Sequence, residues 1–381
     1  MRILHTCLRY PPAGGGVETY VEQIVERTRN AAENRDVRVL TSSMRTHGPI
    51  TELDPEQLIA DPMHVQRLRT TATPWLSYPR LRGLEHYIGH HRPNILHGYS
   101  FWYQPADVAA RYAKKYHIPF FFHPMYYENE IRHKVIWKLY KKTIGHTTFA
   151  AADVVIVISP QEQELITKAG FSVKRFELIP PGIHEDNFTG GRLNPFLKRG
   201  IRGRVIATVS RLAPGKRLQD AIAAMPEIIK AHPDAHLAII GEDFGSLTSL
   251  EADSKRLGTT QNVHFLGKLP DEELRAAYEH ADILLHTSEY EAFGITLAES
   301  LAAGTPVVAR QIGAVPYVVP DGLAGLLFTN NTDIVNHVDT LLSNEAERIR
   351  LGRQGQEHVM KNFTWDKSIK KLTKLYNEFS Q

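Results

Sequence analysis

The stretch Arg204-Val-Ile-Ala-Thr-Val209, continued by Ser210-Arg-Leu-Ala-Pro-Gly-Lys-Arg217, decides the fold. Its first six residues have the β-branched and apolar character of a buried strand, and a Pro-Gly turn with cations follows. This strand restarts a series that has already run once upstream. The first series is Arg2–Thr6, Asp36–Leu40, Ile95–Gly98, Phe120–His123, Val154–Ile158 and Phe176–Ile179. The second is Arg204–Val209, His236–Ile240, Val263–Leu266, Ile283–His286, Pro306–Ala309 and Gly325–Phe328. Amphipathic stretches lie between the runs, the alternation expected of parallel sheets covered by helices. Segment 186–203 is rich in glycine, holds a proline and shows no apolar period, and it reads as a linker. The expected architecture is α/β, with an N-terminal domain over 1–190 and a C-terminal domain over 203–362. The last helix, within 365–381, is expected to pack back on the first domain.

Composition narrows the classes. A chain of 381 residues suits two domains of ordinary size. Apolar content of 42% and charged content of 23% belong to a globular protein and exclude disordered and fibrous ones. A net charge of +3 gives no argument for nucleic acid, although it permits a local basic face. The single cysteine, Cys7, permits no internal disulfide and fits a reducing compartment. Met1–Cys7 reads as a strand rather than a leader, and no apolar run approaches the ~20 residues of a spanning helix. The expectation is a cytoplasmic protein with no nucleic-acid partner.

Three loops carry chemistry. The stretch His286-Thr-Ser-Glu-Tyr-Glu-Ala-Phe-Gly-Ile-Thr-Leu-Ala-Glu-Ser300 leaves a strand and enters a helix near Gly294. Backbone amides at Gly294, Ile295, Thr296 and Leu297, with the positive end of the helix dipole, suit a phosphate. A capped surface helix with solvated carboxylates at Glu291 and Glu299 fits the same residues. Arg211 and Lys216, five residues apart at the end of a strand, can converge on a diphosphate, one as a fork and one as a point charge. This is no Walker loop, because Arg217 stands where Ser or Thr would hold magnesium. Gly14, Gly15 and Gly16 precede a helix and let backbone approach a ligand, yet they do not make G-x-G-x-x-G. His123 sits at a strand end, and nineteen histidines yield no ligand set with metal-site spacing.

Taken together, these pieces resemble glycosyltransferase family 4, the retaining glycosyl transferases of group 1 with GT-B architecture. The likeness spans Gly14–Glu18, His123, Ile179–Ile183, Arg211, Lys216, Gly241-Glu242, Val263–Gly267, Ser288–Gly294, Glu299, Gly304–Val307, Gly313, Asp321-Gly322 and Gly325. It implies two Rossmann-like domains whose parallel sheets face a central cleft, with the acceptor on the first and a nucleoside-diphosphate sugar on the second. It further implies that Arg211, Lys216 and the amides of Gly294–Leu297 hold the diphosphate, and that Glu299 accepts from the ribose. Phe293 is included in the donor site by the same likeness. Glu291, Gly15, Gly16 and His123 would serve the donor sugar, and His123, Glu291, Arg211 and Lys216 form the catalytic set. The implied reaction is metal-independent hexosyl transfer with retention, from a UDP or GDP donor to a glycan or lipid-linked acceptor in cell-surface assembly. Ala292, Ser300 and Ala314 depart from the residues usual in the family.

Two other functions share this scaffold: a sugar-nucleotide 2-epimerase and a nucleotide-binding member without turnover. An NAD-dependent enzyme lacks its fingerprint here. Finally, segment 131–142 reads as a helix with Ile131, Val135 and Leu139 in one stripe, flanked by Arg132, Lys134, Lys138, Lys141 and Lys142. It fits either a helix burying that stripe on its own domain or a surface docking on anionic lipid, with Trp137 and Tyr140 at headgroup level.

Overall fold

The computed structural model of the chain describes residues 1–31, 35–47, 50–71, 78–128, 134–184, 188 and 190–379. Two compact units emerge, one of Met1–Pro180 with Ser368–Gln381 and one of Pro181–Lys367. Unit one is built on strands β1 (Arg2–Thr6), β2 (Asp36–Ser42), β3 (Val65–Leu68), β4 (Ile95–Tyr99), β5 (Phe120–His123), β6 (Val154–Val157) and β7 (Phe176–Leu178). They lie in the order β7-β6-β5-β4-β1-β2-β3, and every pairing is parallel. Runs such as Val154–Val157 are buried throughout, as a sheet covered on both faces requires.

Unit two repeats the plan with β8 (Arg204–Val209), β9 (Ala235–Ile240), β10 (Val263–Gly267), β11 (Ile283–His286), β12 (Val307–Arg310) and β13 (Gly325–Phe328). Their order is β10-β9-β8-β11-β12-β13, again all parallel. In each sheet the winding reverses at the first strand, between β1 and β4 and between β8 and β11. Open parallel sheets bind ligands beyond the strand ends at such a reversal. In unit two, the loops leaving β8 and β11 are Ser210–Arg217 and Thr287–Gly294, the two polar motifs of the sequence.

The chain leaves unit one at Pro180–Pro181, upstream of the segment 186–203 expected as a linker. Residues 186, 187 and 189 lie outside the described residues. The rest of that segment is held in unit two, where Arg192 pairs with Glu272 and Glu279 and Phe196 is fully buried. Gly182 is required where it stands, since a Cβ there would fall 2.2 Å from the Trp365 nitrogen. From Ser368 onward the last helix, Trp365–Glu378, belongs to unit one. It is tied there by the Ser368 hydroxyl on the Pro180 carbonyl (2.7 Å) and by Lys371 on the Leu178 carbonyl (3.0 Å).

Candidate functional site

In unit two the β8 and β11 loops are knitted together by backbone. Glu289 N–H donates to the Gly215 carbonyl at 3.1 Å, and the Thr287 hydroxyl donates to the Lys216 carbonyl at 2.9 Å. This fixes Lys216 beside Glu291, whose Oε2 accepts from Lys216 Nζ at 3.3 Å and from His286 Nε2 at 3.2 Å. A carboxylate oxygen can only accept, so the network assigns the His286 proton to Nε2. Burial alone would push the Glu291 carboxyl up. The His286 hydrogen bond and the Lys216 charge outweigh it and bring the pKa from 4.5 to about 2. Glu291 is therefore an anion at any working pH. Among the described residues no hydrogen bond reaches its Oε1. His286 is the residue in this cluster that the sequence reading gave no role. Its signal was its place at the end of β11, five residues before the glutamate.

Gly294 begins the helix Ile295–Ala302 with φ +96°, a left-handed conformation that favours glycine. The first intrahelical bond is Ala298 N–H to the Gly294 carbonyl, and Leu297 N–H is spent on the same carbonyl. The amides of Ile295 and Thr296 precede these bonds, so the helix supplies them no acceptor. Only part of the amide run expected from sequence is thus open to an anion. Phe293 is buried in packing, edge-on to Phe363 at 5.3 Å, so its side chain shapes the loop from beneath. Gly313 lies against the Glu291 carbonyl, where a Cβ would come within 2.3 Å, and Ala314 N–H donates to that carbonyl at 3.1 Å. Alanine in place of a second glycine therefore still holds the Glu291 loop by its backbone.

Arg211 is exposed, and its guanidinium lies 5.1 Å from the centroid of the half-exposed Phe244 ring. Among the described residues it makes no ion pair. Neighbouring Arg217 is occupied by Asp220, which also holds Arg310 at 2.7 Å. Gly241, just after β9, lets that turn approach the β8 loop, because a Cβ there would sit 1.8 Å from the Ser210 carbonyl oxygen. On the helix, Glu299 Oε2 accepts from the Tyr278 hydroxyl at 2.9 Å. Burial raises the Glu299 carboxyl to about 7, against the lowering pull of Tyr278. Its ionisation therefore falls in the working range. On the sequence-based expectation that a ribose hydroxyl donates to Glu299, binding favours the ionised form and should expel the proton. Affinity for the expected nucleoside-diphosphate sugar should rise up to about tenfold from pH 6 to pH 8 and lose that slope in Glu299→Gln, measured by calorimetry. An unchanged slope in the variant would remove Glu299 from the nucleotide site.

In unit one, Gly15 carries φ +155°, and a Cβ there would meet the Glu18 carboxylate at 2.1 Å. Glu18 itself pairs with Arg9 at 2.6 Å. Gly14 and Gly16 have open space where a Cβ would stand, and Gly16 opens the helix Gly16–Asn30. His123 ends β5 fully buried, its Nε2 at 2.8 Å from the Tyr20 hydroxyl and its Nδ1 at 2.8 Å from His97 Nε2. Burial drives the pKa of His123 well below 6.5 and keeps it neutral.

The helix Lys134–Tyr140 continues into a wider turn at Lys141–Gly145. Ile131 and Arg132 lie outside the described residues. Tyr140 is buried with its hydroxyl on Asp107, and Trp137 packs on the unit-one core. These rings therefore face inward, not toward a headgroup layer, because Asp107 and Phe101 draw them in. The stripe faces outward: Val135 is 80% exposed and Leu139 63%. Among the described residues no helix is long and apolar enough to cross a membrane, and no three His, Cys, Asp or Glu side chains gather into a possible metal set.

Comparison with known proteins places this geometry in a family. The profile of Glycosyl transferases group 1 matches residues 198–358, and that of the Glycosyl transferase 4-like domain matches 15–182. D-inositol 3-phosphate glycosyltransferase of Corynebacterium jeikeium (strain K411) is 34% identical over 60% of this chain. The chain covers 58% of that relative's length. The protein of the same name from Acidothermus cellulolyticus is 26% identical over 99% of this chain and 89% of its own. Among solved structures, HepE of Anabaena in complex with UDP and glucose has a TM-score of 0.78 at 18% identity, covering 99% of this chain and 100% of that one. At that identity the likeness speaks for the fold. The chain belongs to the group 1 glycosyltransferases of family 4 and has their GT-B architecture.

Proposed function

We propose that the protein transfers a hexosyl group from a nucleoside-diphosphate sugar to a glycan or lipid-linked acceptor, with retention and without a bound metal. The observation that carries this reading is the cluster at the β8–β11 reversal. There an anionic Glu291, a lysine and an arginine that makes no ion pair among the described residues share one strand-end region with a helix whose first two amides have no intrahelical acceptor. Arg211, Lys216 and the Ile295 and Thr296 amides are assigned to the diphosphate, whose charge grows as the glycosidic bond breaks. Glu299 is assigned to the ribose and Glu291 to the donor sugar. Within unit one, the backbone at Gly15 and Gly16 and His123 are assigned to the transferred sugar. With no base other than substrate required, the leaving diphosphate takes the acceptor proton on the face it departs from. Of UDP and GDP, UDP is favoured, because HepE was solved with it.

The test is product analysis by NMR with UDP- and GDP-sugars, with and without a panel of glycan and lipid-linked acceptors, in excess EDTA. The expected product keeps the donor's anomeric configuration. Epimerised donor without acceptor would make the protein a 2-epimerase, and tight nucleotide binding without any turnover a non-catalytic member. Loss of turnover in EDTA, restored by magnesium or manganese, would overturn the metal-free mechanism.

The exposed Val135 and Leu139, with Lys138 and Lys142 beside them, favour a lipid-linked acceptor reached at an anionic membrane surface. Each lysine near such a surface contributes about 1 kcal/mol. Co-sedimentation with anionic vesicles should fall in high salt and in Lys138→Glu/Lys142→Glu, and fall at all salts in Val135→Ser/Leu139→Ser. Equal partition onto neutral vesicles would leave the stripe as plain surface.

A further inference from the structure

One face of the unit-one sheet carries polar rings where a buried face ordinarily carries aliphatic ones. His5, His97, Tyr99 and His123 share that face, because β1 and β4 pair His5 with His97, and β4 and β5 pair Tyr99 with His123. His97 and His123 stack with centroids 5.0 Å apart, and Tyr99 stacks on both. Tyr20 reaches this layer from the helix Gly16–Asn30, and Tyr376 from the last helix. All six are buried.

The direction of the hydrogen bonds follows from one end. The Tyr20 hydroxyl lies 3.2 Å from the Ile179 carbonyl oxygen, which can only accept, so its single proton goes there. The 2.8 Å contact between Tyr20 and His123 then requires a proton on His123 Nε2. A neutral ring has one N–H, so His123 Nδ1 is an acceptor and takes the proton of His97 Nε2 at 2.8 Å. His97 Nδ1 is in turn an acceptor and takes the Tyr376 hydroxyl at 2.5 Å. Burial pushes the pKa of both histidines well down, so the neutral assumption holds.

We propose that Tyr20, His97 and Tyr376 are positioning residues that hold His123 as a neutral Nε2–H donor, in a one-way relay ending on the Ile179 carbonyl. The proposal rests on the reading in which His123 serves the transferred sugar. In that arrangement the single N–H of His123 is spent on Tyr20, so the relay fixes the orientation of the ring beside the transferred sugar and leaves it no capacity as a general base. Its only unprotonated nitrogen faces His97. The relay also explains a tyrosine at position 20, where packing alone would accept phenylalanine.

The experiment is 15N NMR of the histidine rings in the full chain, with Tyr20→Phe and Tyr376→Phe, beside steady-state kinetics of each. In the wild type, His97 and His123 should both show a pyrrole-type Nε2 and a pyridine-type Nδ1 near neutral pH. Tyr20→Phe removes the end that sets the direction and leaves His123 Nε2–H without an acceptor. Both rings should then reverse to Nδ1–H, with His97 donating to Tyr376, since an orphaned buried N–H is the costlier state. Tyr376→Phe keeps the Ile179 end, and both rings should keep their tautomers. Turnover in Tyr20→Phe should fall about tenfold, the scale of one lost hydrogen bond, with less change in Tyr376→Phe. Wild-type tautomers other than Nε2–H, or no reversal in Tyr20→Phe, would overturn the relay. Reversal with unchanged turnover would overturn the role of His123 at the transferred sugar and leave the relay standing. Both substitutions keep the ring and its packing, and matching thermal midpoints would show that the fold is intact.

Discussion

Glu291→Ala should lower turnover by about 100- to 1000-fold while leaving nucleoside-diphosphate affinity equal to wild type or slightly tighter. The two halves of this expectation come from one geometry. Glu291 Oε2 is held by Lys216 and His286, and Oε1 receives no hydrogen bond among the described residues. The carboxylate is thus fixed and charged before any ligand arrives, the condition under which a group stabilises a transition state without reorganising. Its pKa of about 2 means that no pH profile between 5 and 9 should report it. For the free nucleotide, the same carboxylate is a competitor. It holds the Lys216 ammonium at 3.3 Å and adds a negative charge beside a dianionic ligand. Removing it frees the lysine. Calorimetry with UDP and turnover under saturating donor separate the effects. A parallel loss in both would place Glu291 in the nucleotide site instead. Glu291→Gln keeps the shape without the charge and should lose most of the same turnover.

Much of this was legible in the sequence because parallel strands buried on both faces advertise themselves as apolar runs. All twelve expected strands of the two main sheets appear within two residues of their expected ends. Strand β3 escaped because Val65-Gln-Arg-Leu68 has the look of a surface loop. Its Arg67 is drawn inward by ion-pairing with Asp61 and by donating to the carbonyls of Tyr10, Pro11 and Ser42. The candidate site was legible as loops, because glycine, proline and charge cluster where β8 and β11 end. Its partnerships were not. That His286 shares an oxygen with Lys216, or that Tyr278 binds Glu299 from another helix, depends on tertiary contacts no local spacing encodes. The helix at 134–140 shows the same limit in reverse. An i, i+4 stripe identifies one face, but only the pull of Asp107 on Tyr140 decides that the other face turns inward.

Arg211→Ala should weaken UDP binding by roughly 1.5–3 kcal/mol, about 10- to 150-fold, the scale of a charge-assisted contact to phosphate. Lys216→Ala should cost less, about 1–2 kcal/mol, because the wild-type lysine must first loosen from Glu291. The inequality separates this structure from a simple pair of cations. Arg211 waits over the Phe244 ring with no ion pair among the described residues, so it gives up only an exposed ring contact when it turns to a diphosphate. Lys216 exchanges one anion for another. The two residues should also couple differently to Glu291. In the Glu291→Ala background the cost of Lys216→Ala should grow toward that of Arg211→Ala, while the cost of Arg211→Ala should stay constant. Arg211→Lys should recover only part of the affinity, since an ammonium lacks the planar fork that grips two phosphate oxygens. The measurement is a double-mutant cycle by calorimetry at fixed salt, because charge contacts this exposed are screened at high ionic strength. Wild-type UDP affinity in Arg211→Ala would remove the diphosphate from the end of β8. Equal costs for both cations in both backgrounds would mean that the Lys216–Glu291 pair does not restrain the lysine in solution.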